Sequence, residues 1–362
     1  MAACGSTSDS ASTTATAASS TSASAAAGSA TPQIVTAAEA FLATLDSSAT
    51  SKLVLDHPGD TTATAKSFSG RVGEQFGTAV WSNYPISDVI RQGLRLGDLS
   101  AAQRKAAMAV LASALSADGY TKVQRIMAAD QVLSDSGTNY ECGQDNYVIT
   151  FVGTPSKTDR WMLEFGGHHL GLNVTIEGDQ QTMAPTLTGC QPSSFTGDGA
   201  TVHPLGIETD TAFALSTALS DAQFATALLT PAVTDLVLGP GKDGQKLAAA
   251  GIAGSAMTAA QRALLLKLAG AWIGMLNDTA AATQLALIEK DLPDTYFAWS
   301  GETKEDSSVY FRITGPSLII EYADQGSMGG GPGGGTGVQA GGANHIHTVY
   351  RDPTNEYGRG FA

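Results

Sequence analysis

The apolar positions of this chain switch between two periods. Ile34 to Leu45 sets Phe41 and Leu42 on one side of an alanine-rich stretch and predicts a helix. Ser100-Ala-Ala-Gln103 is a capping box, in which the serine hydroxyl accepts from the glutamine backbone amide and the glutamine side chain reaches back to the serine amide. It opens a segment with Met108, Leu111 and Leu115 at helical spacing, and a second helical segment runs from about Tyr120 to Leu133. Beyond it the pattern shortens. Tyr147 to Val152, Trp161 to Phe165 and Leu170 to Glu177 are short runs rich in β-branched and aromatic residues, set off by Gly153 and Gly166-Gly167, and they predict three strands. Residues 67–85, where Phe68, Phe76, Trp81 and Tyr84 lie among glycines, read as irregular.

The same order then returns. Thr258-Ala-Ala-Gln261 is another capping box, ahead of Leu265, Leu268 and Trp272. Tyr296 to Trp299, Tyr310 to Thr314 and Leu318 to Tyr322 follow as strands, with Gly301 and Gly315-Pro316 between them. Matching Tyr147 to Tyr296, Trp161 to Tyr310 and Gly166 to Gly315 gives two copies of one unit. The expected fold is α+β, with internally duplicated helix–helix–antiparallel-strand units forming one pseudo-twofold body. The domain plan is a tether over 1–32 and a single globular domain over 33–362, with related halves at about 98–190 and 256–325.

Composition narrows the partners. The formal net charge of −14 argues against a nucleic-acid partner, whose phosphates demand clustered Lys and Arg. No run of about 18 apolar residues is present, so no membrane-spanning helix is expected. Small residues precede Cys4, and a Ser/Thr/Ala tract runs to about Ala30. That order resembles the end of a lipoprotein signal followed by a flexible tether, so the expected location is the cell envelope or the extracellular space, with membrane contact only through a lipid anchor at Cys4. Cys142 and Cys190 then form an even pair, either a disulfide suited to an oxidising compartment or two buried thiols.

The candidate chemistry lies in the histidines. The chain has six, and four fall in two sets, His168-His169 and His345-Ile346-His347. Residues two apart on a strand share a face, so His345 and His347 can chelate one ion. His168 and His169 are adjacent, and both can serve only if Gly166-Gly167 bends the backbone. Four neutral imidazoles suit zinc or copper above iron, and magnesium or calcium poorly. Three ligands would leave an open position for water or substrate, with the fourth histidine as an outer partner or acid–base group. His203 is a loop residue and a fifth candidate ligand, and His57 reads as a surface residue. The competing reading is that the histidines only cap loops. Glu164 leads into the first pair and is a candidate general base. Arg351 can hold a substrate carboxylate, and Asp352 can orient a ligand imidazole; the alternative is an Arg–Asp pair that fixes the Pro353 turn. The glycine-rich run 326–342 reads as a connector or lid and lacks the features of a phosphate-binding loop.

Trp161-Met-Leu-Glu-Phe-Gly-Gly-His-His-Leu170, Tyr296-Phe-Ala-Trp-Ser-Gly301, Arg312-Ile-Thr-Gly-Pro316 and Asn344-His-Ile-His-Thr-Val-Tyr-Arg-Asp-Pro-Thr-Asn-Glu-Tyr-Gly358 resemble a family catalogued as domain of unknown function 3500. The resemblance runs from about Ala37 to Gly358 and implies a secreted or lipid-anchored protein with no settled activity. No HExxH or GxSxG motif is present. The expected function is an extracytoplasmic metal-dependent enzyme, a hydrolase of an ester or amide or an oxidase, with a mononuclear histidine site. A non-catalytic metal-binding lipoprotein and a surface-anchored binding protein with structural histidines are the rivals.

Overall fold

A computed structural model describes Met1 and residues 29–197, 199–304, 307–325 and 344–361. Cys4 and the glycine-rich run lie outside the described residues. The chain opens with helices α1 (Thr31–Leu42) and α2 (Ser47–Leu53), a short strand β1 (Val54–Leu55), and a meander of β2 (Thr64–Phe68), β3 (Arg71–Phe76) and β4 (Ala79–Trp81). The meander corrects the irregular reading of residues 67–85. Gly70 and Gly77 are turn residues at positive φ, and Phe76 and Trp81 are buried packing residues. After β5 (Leu94–Arg95) come α3 (Ala101–Ala114) and α4 (Ala117–Asp135). The Ser100 capping box forms as its sequence requires.

Four strands follow the helices: β6 (Val148–Val152), β7 (Trp161–Gly167), β8 (Leu170–Glu177) and β9 (Gln180–Thr182). Then come β10 (Thr186–Cys190), a small hairpin of β11 (Phe195–Gly197) and β12 (Ala200–Val202), and helices α5 (Gly206–Ala218) and α6 (Asp221–Ala227). The chain closes with β13 (Ile252–Ala253), α7 (Ala259–Ile273), α8 (Asp278–Asp291), β14 (Tyr296–Ser300), β15 (Tyr310–Gly315), β16 (Leu318–Asp324) and β17 (Ile346–Arg351). The Thr258 capping box opens α7.

The architecture is mixed α+β, with eight α-helices among the described residues and one large mixed sheet. The sheet runs β1-β6-β7-β8-β10-β17-β16-β15-β14-β13, with β5 paired to β6 and β9 to β8. Only β1 and β6 run parallel among these pairs. At its centre β10 and β17 pair antiparallel, Thr188 opposite Thr348. The joining of these strands sets the C-terminal β17 beside the end of the first strand group, although some 160 residues separate Thr188 from Thr348.

One face of the sheet carries the helices. Alternation sends Trp161, Leu163 and Phe165 of β7 to that side, where they join Val110 and Leu111 of α3 in the main core. A buried Lys122–Glu208 ion pair ties α4 to α5, and Lys122 Nζ also donates to the Ala271 carbonyl of α7. The other face is covered by the meander and the segment around 232–243. A second core cluster of Phe76, Ala79, Val152, Met162 and Tyr357 lies there. That cover brings backbone into the interior, and buried carboxylates satisfy it. Glu74 accepts from the amides of Gly241 and Lys242, and Glu321 accepts from those of Val237 and Leu238.

Candidate metal centre

His168 and His169 are the two residues of the tight turn joining β7 to β8, with Gly167 paired to Leu170 beneath them. The glycines are required by close approach. A Cβ on Gly166 would lie 2.6 Å from the Leu170 carbonyl oxygen, and one on Gly167 would lie 2.9 Å from the Tyr147 ring. His169 has φ 63°, a left-handed conformation that costs a residue with a Cβ about 1–2 kcal/mol. Its surroundings hold it there. The His169 amide donates to the Asn83 carbonyl at 3.1 Å, Tyr147 Oη donates to the His168 carbonyl at 2.9 Å, and Arg91 donates to the Gly167 carbonyl at 2.9 Å. This backbone bend sets the two adjacent rings side by side, with centroids 3.7 Å apart and planes 30° from parallel.

The second arm is the start of β17. His347 pairs with Gly189 of β10 on one side and Ala323 of β16 on the other, so small neighbours leave room for its ring. His345 lies two residues before it, and the two ring centroids are 4.4 Å apart. The opposite side of β17 is locked down. Thr348 Oγ1 meets Thr188 Oγ1 at 2.7 Å and accepts from Trp272 Nε1 at 2.8 Å.

The two arms meet. His169 Nε2 stands 2.8 Å from His345 Nε2. One ligand nitrogen from each of His169, His345 and His347 falls within 4.8 Å of the others. That is the scale of one coordination sphere, in which nitrogens about 2.1 Å from an ion stand about 3.4 Å apart. Burial, with the neighbouring imidazoles adding to it, pushes His169 well below its ordinary pKa; the same causes bring His345 down to about 2. Both are therefore neutral, the form that binds a metal. His169 Nδ1 is buried with no hydrogen-bond partner among the described residues. Asp235 Oδ1 is 3.8 Å from His347 Nδ1, and Asp235 is largely exposed.

His168 packs ring to ring against His169, with centroids 3.7 Å apart, yet its Nδ1 meets a different partner. Its Nδ1 is 2.7 Å from Asp130 Oδ1 of α4, and Asp130, Cys142 and His168 form a second close group of donor atoms. The four expected ligands are thus split three and one. Sequence reasoning missed Asp130, and a signal for it exists. It shares the inward face of α4 with Val123, Ile126, Met127 and Leu133, and a charge on an apolar stripe needs a buried partner. Cys142 and Cys190 are free buried thiols, which corrects the disulfide expectation. Cys190 ends a central strand within the main core, and Cys142 lies in the loop after α4. Burial first, then the Asp130 carboxylate, raises the Cys142 thiol to about 12.

The three candidate catalytic residues lie apart from the triad's donor atoms. Glu164 is buried opposite Thr150 and Asn173, where burial raises its carboxyl to about 8 while Arg91 opposes the shift. Arg351 is four residues beyond His347 on the same side of β17, roughly 13 Å along the strand. Its guanidinium is fully buried and committed. It donates to Glu74 Oε2 at 2.6 Å, Glu356 Oε1 at 2.7 Å and the carbonyls of Leu238 and Gly239. Asp352 Oδ1 accepts from the amide and hydroxyl of Thr354, so Asp352 holds the turn by itself and Arg351 pairs with Glu74 and Glu356 instead. His57 packs edge-on to Phe76, and His203 lines a cavity of about 540 Å³ beside α5.

Fold and site together define a mixed α+β protein with a convergent set of buried histidines able to hold a metal ion. The family model described as Protein of unknown function (DUF3500) matches residues 27–359, and the chain belongs to that family. No curated protein and no solved structure matches the chain.

Proposed function

We propose that His169, His345 and His347 bind one divalent transition metal ion, zinc or copper ahead of iron, as the reactive centre of a hydrolase or oxidase. The observation that carries this reading is the convergence of three imidazoles, one held in a strained turn conformation at φ 63°. Strain of that kind persists where the surroundings over-determine it, and it clusters at functional sites. A bound divalent ion supplies a Lewis acid and acidifies its water. Three neutral ligands leave the dication's charge uncompensated in a largely buried site, so the open position favours an anion such as hydroxide or a substrate oxyanion. A closed, non-catalytic metal site is the second reading, favoured by the burial of His169 and His347.

The test is metal content after purification without added metal and after zinc, copper and iron challenge, repeated for His345→Ala and His347→Ala. A stoichiometric ion lost in both variants supports metal binding; no ion in the wild type overturns it. Azide binding to the cobalt-substituted protein separates an open site from a closed one.

We also propose that the body arose by duplication. The element orders α1-α2-β5-α3-α4-β6-β7-β8-β10 and α5-α6-β13-α7-α8-β14-β15-β16-β17 correspond, and the strand groups meet where β10 pairs β17. The turn matching His168-His169 is then Pro316-Ser317, one residue off the register read from glycines alone. An envelope location through a Cys4 anchor is likewise a proposal; its test is lipid labelling lost in Cys4→Ala.

A further inference from the structure

The turn residue next to His169 points to a separate site. Asp130, Cys142 and His168 are 1%, 4% and 6% exposed, and one donor atom from each lies within 4.8 Å of the others. The three come from three elements: the inward face of α4, the loop after it, and the β7–β8 turn. Each is fixed from outside the group. The Gly143 amide donates to Asp130 Oδ2 at 2.8 Å, leaving Oδ1 turned to His168. Asn146 Nδ2 donates to the Cys142 carbonyl at 2.6 Å, and Tyr147 Oη holds the His168 carbonyl. Gly143, at φ 96°, makes the bend that brings Cys142 over Asp130.

We infer that Asp130, Cys142 and His168 bind a zinc ion, making a second metal site beside the three-histidine centre. The donor set is chemically suited to it. Thiolate, imidazole and carboxylate are all zinc ligands, and three protein ligands leave a fourth position. Charge argues the same way. A dication with one thiolate, one carboxylate and a neutral imidazole sums to zero, the condition for burying an ion without a large desolvation cost. Binding releases the Cys142 thiol proton to solvent, and the neutral His168 ring carries its one proton on Nε2, which frees Nδ1 and Asp130 Oδ1 for the ion. Ligands about 2.1 Å from the ion require the 2.7 Å contact to open by several tenths of an ångström, a shift between the β7–β8 turn and the Asp130 side chain of α4. The alternative of a cysteine nucleophile with an Asp–His base fits less well, because the thiol is buried next to a carboxylate, whereas reactive thiolates sit in electropositive, partly exposed surroundings.

The inference does not depend on the three-histidine reading, and the two fail separately. Zinc-saturated protein, freed of loose metal, is analysed for metal per chain, and the cobalt(II) form is scanned for thiolate-to-cobalt charge-transfer absorption. Two ions per chain and a thiolate band are expected in the wild type. Cys142→Ser removes the band and one ion, and Asp130→Asn, which preserves shape, weakens that ion's binding more than tenfold. The double variant His345→Ala, His347→Ala keeps the band. A cobalt form with no thiolate absorption, or a metal count unchanged in Cys142→Ser, overturns the site while leaving the triad standing.

Discussion

His169 Nε2 and His345 Nε2 approach to 2.8 Å across the gap between a β-turn and the residue that leads into a strand, 176 positions later. Each ring is held neutral by burial, and one is held in a strained backbone conformation. Tests of this arrangement follow from its electrostatics and its packing.

The first concerns pH. His169 and His345 have pKa values in the folded protein below the ordinary 6.5, so below that pH the unfolded chain takes up protons that the folded chain refuses. Stability is present above about 6.5 and is lost as pH falls. Each histidine contributes a slope of up to about 1.4 kcal/mol per pH unit. Urea unfolding of metal-free protein between about pH 7.5 and 5 checks this; a midpoint that rises on acidification would contradict it.

His169→Asn tests whether the turn is strained for function. Asn tolerates positive φ, relieving about 1 kcal/mol, and the substitution removes a buried unpartnered nitrogen. Metal-free His169→Asn is expected to be at least as stable as wild type in thermal unfolding, yet to lose the triad's ion. A large loss of stability would show the ring to be a packing element.

Arg351→Ala leaves Glu74 and Glu356 buried without their cation. Such a change costs about 3–5 kcal/mol. Chemical denaturation reads the loss directly. Metal per folded chain is expected to stay unchanged, since the guanidinium is spent on the fold; loss of metal with full stability would return Arg351 to the site.

Gly189→Ala places a Cβ 2.4 Å from the Ile346 carbonyl oxygen and 3.3 Å from the Cβ of His169. Backbone must shift between β10 and β17, at about 1–3 kcal/mol. Because the shift falls between the two arms of the triad, both unfolding midpoint and metal affinity are expected to drop. A drop in stability alone would place the site away from this seam.

Much of the scaffold was legible because its signals are local. Two capping boxes, β7 and β15 with their flanking strands, and the glycine pair before the histidines are set by hydrogen bonds and side-chain periods spanning a few residues. The meander of residues 64–81 was missed because its strands are short and mostly exposed on β2, with no clean alternation. β10 was missed because Thr186-Leu-Thr-Gly-Cys190 carries little apolar signal, yet it is buried throughout at the centre of the sheet.

The sequence by itself determined that His345 and His347 share a face, that Gly166-Gly167 permits a bend, and that four histidines form two sets. Only the tertiary structure decided which imidazole goes where. His169 reaches β17 and His168 reaches Asp130 from one packed pair of rings, because a two-residue turn with left-handed φ at His169 puts side by side the adjacent side chains that a strand would have alternated. Only the structure decided that Arg351 is a buried counter-ion, since Glu74 is brought to it by the packing of the meander onto the sheet and Glu356 by the turn after β17. Cys142 lies beside Asp130 rather than Cys190 because the loop after α4 turns back on the helix at Gly143, whose amide bonds Asp130.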